Sequence, residues 1–153
     1  MTQPHNDEEL FVALREMWSD ADPPPDGLAD RTVAEIAVED TERDFALLDL
    51  LEEAPLAEVR GEGIRRTVRF GDESSTIVLH IVAEPSGVCR IGGWSDPPVL
   101  AARLCQDQGE TSAVTAPDGR FTFDDVPHGR SCMRVATLED DRMREARTPW
   151  FET

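Results

Sequence analysis

Apolar residues recur along the chain at two different periods, and the change from one to the other divides it in two. Leu10, Phe11, Leu14, Met17 and Trp18 fall at i, i+1, i+4, i+7 and i+8, which lays one apolar stripe along a helix from near Asp7 to about residue 20. Asp7, Glu8 and Glu9 put negative charge where a helix dipole is positive. The run Asp22-Pro-Pro-Pro-Asp26-Gly27 cannot continue that helix, because each proline lacks an N–H and restricts the residue before it, so a stiff elbow is expected over 22–27. Helical spacing resumes at Leu28 and runs to about Glu53 through Leu28, Val33, Ile36, Ala37, Phe45, Leu48 and Leu51, with a break at Asp40-Thr41 and an end at Ala54-Pro55. Two short amphipathic helices share too little core to be stable alone. Their stripes are expected to be the buried positions, packed on the rest of the chain or on another protein.

From Ile64 onward the period becomes two. Ile64, Val68 and Phe70 interleave with Arg65, Thr67 and Arg69, Gly71-Asp72 marks a turn, and Thr76 to Ala83 is a β-branched run, which together predict a hairpin. After Pro85-Ser86-Gly87, strands are expected over 88–94, 99–106, 111–115, 120–123, 131–137 and 148–151. Short strands at this spacing predict a β-sandwich. The fold class expected is therefore α+β: an acidic helical region over 1–58, a linker over 59–63, and an antiparallel sandwich over 64–153.

Charge sharpens the division. The 153 residues carry 15 basic and 32 acidic groups, a net −17, and every basic residue is arginine. Residues 1–60 hold 17 acids against 4 arginines, or −13, and residues 61–153 hold 15 against 11, or −4. Such a balance argues against nucleic acid or anionic lipid as a direct partner and allows a basic protein partner. No signal sequence or long apolar run is evident, so a cytoplasmic protein without a membrane partner is expected.

Residues Thr115-Ala-Pro-Asp-Gly-Arg-Phe-Thr-Phe-Asp-Asp-Val-Pro-His-Gly129, preceded by Val99-Leu-Ala-Ala-Arg-Leu104, resemble the carboxypeptidase-regulatory-like domains of the transthyretin-like, or prealbumin-like, sandwich class. The likeness covers about residues 88–137 and implies an accessory or binding module. Its local logic is physical: Asp118-Gly119 makes a tight turn needing positive φ, Phe121 and Phe123 point to one sheet face, and Pro127 with Gly129 turns the chain back. Upstream, Phe11-Val-Ala-Leu-Arg15 followed by Asp22-Pro-Pro-Pro-Asp-Gly-Leu-Ala-Asp-Arg31 is similar to helical regions of small actinobacterial proteins found beside extracytoplasmic-function sigma factors. That resemblance implies regulation in the manner of an anti-sigma factor, without the H-x-x-x-C-x-x-C zinc motif.

Chemistry-bearing patterns are sparse. There is no G-x-S-x-G and no phosphate-cradling glycine loop. His5, His80 and His128 fall in a tail, a strand and a turn, and Asp20, Asp22 and Asp26 lack the glycine and bidentate glutamate of a calcium loop. Cys89, Cys105 and Cys132 are widely spaced and are expected to be reduced thiols acting as small apolar side chains. Trp94 and Trp150 are expected to pack in the core or at a sheet edge. The expectation is a non-enzymatic regulatory or adaptor protein with no metal or cofactor, whose basic partner, in the most concrete form a sigma factor, docks on Leu10, Phe11, Leu14, Met17, Trp18, Leu28, Val33 and Ile36. The alternative is a sandwich module whose loops bind a small ligand or carbohydrate.

Overall fold

The computed structural model describes residues 7–40, 42–56 and 65–153. Two helices, α1 (Asp7–Ala21) and α2 (Leu28–Glu39), precede twelve strands: β1 (Ala46–Leu47), β2 (Asp49–Leu56), β3 (Arg65–Gly71), β4 (Thr76–Ala83), β5 (Val88–Asp96), β6 (Val99–Gln106), β7 (Gly109–Ser112), β8 (Val114–Thr115), β9 (Phe121–Pro127), β10 (Arg130–Glu139), β11 (Arg142–Arg147) and β12 (Phe151–Glu152). One sheet runs β1-β11-β10-β6-β7, with β12 also on β10, and the other runs β2-β3-β4-β5-β9-β8. All pairings are antiparallel except β1 with β11. The expected linker over 59–63 lies outside the described residues.

Alternation sets the core. Ile77, Leu79 and Ile81 of β4, Cys89 and Ile91 of β5, and Phe121 and Phe123 of β9 turn to one face, where they meet Val99, Ala102 and Leu104 of β6 and Met133 and Val135 of β10. The two sheets thus share one apolar layer, and the chain is an α+β fold built on a β-sandwich. The paired phenylalanines point inward as expected, their rings edge to face at 6.0 Å. Gly119 takes φ 80°, and a Cβ there would lie 2.5 Å from Pro98 Cβ, so this turn needs glycine twice over.

The second helix departs from expectation. It ends at Glu39, not near Glu53, and residues 46–56 form β1 and β2. Asp40 is extended, and its Oδ1 accepts from Glu42 N at 3.0 Å, which diverts the chain. The following segment then hydrogen-bonds along both sheets: β1 onto β11, and β2 along the full length of β3. Ladder hydrogen bonds outweigh the helical spacing, and Pro55 is tolerated because β2 is an edge strand. The sandwich therefore begins at Ala46, well before residue 64.

The helix also buries a different face. Ala34, Ala37 and Val38 are fully buried, Ala34 and Val38 against Ala101 and Ala136 on the outer side of the first sheet, while Leu28, Val33 and Ile36 of the expected stripe face outward. Alanine against alanine lets helix and sheet approach closely, which larger side chains would prevent. Two further differences concern strands. Residues 111–115 divide between β7 in one sheet and β8 in the other, crossing at Ala113. The strand β11, Arg-Met-Arg-Glu-Ala-Arg, has little apolar alternation to announce it; Asp140 and Asp141, at φ 48° and 59°, form the two-residue hairpin that brings it back along β10.

One polar clamp ties the sheets together at an end of the sandwich. Asp72, in the β3–β4 turn, accepts from the amides of Ser74 and Ser75 at 2.9 Å each, and Arg144 of β11 reaches across to pair with it. Burial pulls the Asp72 pKa upward, but the bonds from Arg144, Ser74 and Ser75 overcome it and hold the group at about 2. Because the folded pKa lies below the unfolded value of 3.8, the clamp stabilises fully above about pH 4 and is lost as pH falls towards 2. Urea midpoints at neutral and acid pH should therefore differ by an acid-sensitive component of about 1–2 kcal/mol that Asp72→Asn removes. An unchanged acid slope in Asp72→Asn would refute this.

Candidate functional surface

Helix α1 contains no buried residue. Its stripe of Leu10, Phe11, Leu14, Met17 and Trp18 is exposed along its whole length, Phe11 by 64% and Trp18 by 63%. On a 100° helical step, Glu8, Glu9, Glu16 and Asp20 occupy the other side. The helix carries five acids and one arginine. Its end is closed by Asp22 N donating to Trp18 O at 2.9 Å, and the elbow leads to Gly27, at φ 71°, ahead of α2.

Helix α2, by contrast, is fastened to the sandwich. Arg134 of β10 is only 5% exposed and donates from one guanidinium nitrogen to the Glu39 carbonyl at 3.4 Å, where a cation complements the helix C-terminus. A second nitrogen pairs with Glu110 at 2.5 Å, and the guanidinium lies 5.7 Å from the Phe45 ring centroid. Arg103 adds contacts to Glu39 at 3.8 Å and Glu110 at 3.3 Å. With its inner side consumed, α2 presents Leu28, Val33 and Ile36 outward, Ile36 by 59%. All eight sequence-predicted contact residues are therefore exposed. They occupy two helices on either side of the proline elbow rather than one packed layer.

The remaining chemistry-bearing residues have structural partners. His80 Nδ1 lies 3.0 Å from Thr67 Oγ1, and His128 Nδ1 donates to the Thr153 carbonyl at 3.0 Å. His5 lies outside the described residues. Asp118 accepts from Arg120 N at 3.1 Å within its turn, and Asp124 pairs with Arg90 at 2.6 Å. Among the described residues, no three His, Cys, Asp or Glu side chains converge as metal ligands. Trp94 and Trp150 are both exposed, against the expectation of packing, with the Arg130 guanidinium 4.8 Å from the Trp150 ring centroid. Among the described residues, no helix is long and apolar enough to cross a membrane.

Two features were not legible in the sequence. An open groove of about 500 Å³ lies where the elbow and α2 meet the sandwich turns, lined by Asp26, Asp30, Arg31, Pro98, Thr115 and Pro117 among others. Cys105 and Cys132, 27 positions apart, stand directly opposite each other on β6 and β10. Only Cys89, buried among the apolar residues between the sheets, behaves as the expected small core side chain. Compared with known proteins, the chain matches no family model, no curated protein and no solved structure.

Proposed function

We propose that this chain is a non-enzymatic regulatory or adaptor protein that binds a basic protein partner through its acidic N-terminal helices, with anti-sigma-like control of a transcription factor as the most concrete form. The observation that carries this reading is α1: an amphipathic helix of net −4 (five acids, one arginine) whose apolar stripe is left exposed, with no residue of the helix buried. Negative charge speeds encounter with a positive groove, and Phe11, Leu14 and Trp18 then supply the apolar anchors. Arg134 holds α2 on the sandwich, which serves as a scaffold of the transthyretin-like type. The positive-φ turn at Gly119 and the inward pair Phe121 and Phe123 support that type.

The test uses the full-length protein as bait against a lysate of its source cells, beside a Phe11→Ala/Trp18→Ala double variant. A retained basic protein should elute as salt rises from about 0.05 to 0.5 M, and purified with it the double variant should bind weaker by about 2 kcal/mol. Stability of the bait should change by less than about 0.5 kcal/mol, since neither side chain is buried. Equal retention by both baits would defeat the proposal. The groove beside Asp26 and Arg31 favours a second reading, a module binding a small polar ligand or sugar. In that case ligand-induced chemical shifts would map to Arg31 and Thr115 and leave α1 unmoved.

A further inference from the structure

We propose that Cys105 and Cys132 form a reversible dithiol–disulfide couple on the helix-bearing face of the sandwich, closed by a hydroperoxide and reopened by a thiol reductant. The register places the two residues as direct partners across β6 and β10. Thr148 N donates to Met133 O at 2.9 Å, so Met133 points its amide and carbonyl to the β11 side, and those of Cys132 turn towards β6. The cysteines therefore form a hydrogen-bonded cross-strand pair, for which Cα atoms lie about 5.5 Å apart. That Cα spacing is inside the window of about 4.4–6.8 Å that a disulfide allows. The Cβ atoms of a directly opposite pair, up to about 5.5 Å apart, must close to about 3.5–4.5 Å, so closure draws the two strands together locally and leaves a bond that is readily reduced.

The surroundings favour one thiol as the attacking group. Positions two apart share a face, so Arg103 and Arg134 stand on the same side as the cysteines, and Glu110 lies opposite Cys105 on β7. The neighbouring Cys132 thiol, with help from the Arg134 guanidinium and against burial, lowers the Cys105 pKa to about 7, and while protonated Cys105 Sγ donates to the Arg103 carbonyl at 4.0 Å. Cys132 is raised for the complementary reason, its proton being held between the two sulfurs, and burial adds to this. Both thiols are partly exposed, whereas Cys89 is closed inside the core.

The reaction balances with hydrogen peroxide as oxidant. Cys105 thiolate attacks one peroxide oxygen, the O–O bond breaks, and hydroxide leaves to be protonated to water, which gives a sulfenic acid on Cys105. The Cys132 sulfur then attacks Cys105 Sγ, the S–O bond breaks, and the sulfenic oxygen departs as a second water with the Cys132 proton. Two thiols lose two electrons, and one peroxide becomes two waters. A dithiol reductant reverses the bond by exchange, itself becoming a disulfide.

The experiment treats the full-length protein with hydrogen peroxide, denatures it without reductant, alkylates it and maps the tryptic peptides. Cleavage after Arg103, Arg120, Arg130 and Arg134 releases residues 104–120 and 131–134, and the expected product is these two peptides joined, at the mass of their sum less two hydrogens. Alkylation should fall from three sites to one, Cys89, and return to three after dithiothreitol. In the folded, untreated protein, Cys105 should alkylate at least about tenfold faster than Cys89. In Cys132→Ala, peroxide should leave a sulfenic acid on Cys105 that dimedone traps. The map of the unsubstituted protein decides the matter whether or not that variant folds. Three free thiols after excess peroxide, separate sulfinic acids on the two cysteines, or disulfides only between molecules would each overturn the proposal.

Discussion

Phe121→Ala is expected to destabilise the sandwich by about 3–5 kcal/mol, among the largest costs of any single truncation in this chain. Phe121 is essentially unexposed and packs edge to face on Phe123 in the layer common to both sheets. Directly across the ladder is Gly93 of β5, its register partner, and a Cβ at Gly93 would come within 2.3 Å of the Phe121 ring. The ring therefore occupies the space a side chain at 93 would need. Gly93→Ala should cost about 1–3 kcal/mol by overpacking, since a ring closed in on all sides cannot swing away. The two losses should not add: in Gly93→Ala/Phe121→Ala the truncated side chain makes room for the methyl, and the double variant should be more stable than the sum of the single costs predicts. Urea unfolding of the four proteins measures the coupling. Strict additivity would show that the ring and the glycine are not in conflict.

Ala34→Glu is expected to detach α2 from the sheet without unfolding the sandwich. Ala34, Ala37 and Val38 are fully buried, and Ala34 and Val38 form with Ala101 and Ala136 an apolar cluster separate from the one between the sheets. A carboxylate placed there without a partner opposes docking by about 3 kcal/mol or more, comparable to the whole apolar gain of so small a contact. Because the main core does not depend on this cluster, the response should be local. Hydrogen exchange over residues 28–39 should lose its protection while β4 and β5 keep theirs. Arg134, released from the Glu39 carbonyl, should exchange its guanidinium protons faster. Simultaneous loss of protection in helix and sandwich would mean that the two clusters fold as one unit.

Much of the architecture can be read in the residue pattern, and the misreadings have identifiable causes. The hairpin of β3 and β4 and the strand β6 follow from β-branched or apolar runs bounded by Gly, Asp and Pro, local signals that nothing elsewhere in the chain overrides. Residues 45–53 carry an apolar spacing compatible with a helix, yet they become strand because β3 and β11 offer unpaired edges, and a free edge is not a property of the segment itself. For α2 the large apolar residues were the wrong guide to burial. Ala34 and Val38 are inside because Ala101 and Ala136, more than sixty residues further along the chain and likewise small, allow a close approach.

By itself, the sequence determined the period of each region, the elbow at 22–27, the concentration of negative charge in the first sixty residues and the apolar stripe on α1, since all of these depend on neighbours within a few positions. Only the tertiary structure decided which side of α2 faces outward, that α1 keeps its stripe exposed, and that Cys105 meets Cys132. Those outcomes are set by strand register and by the fit between surfaces distant in the chain, and neither leaves a local trace in the order of residues.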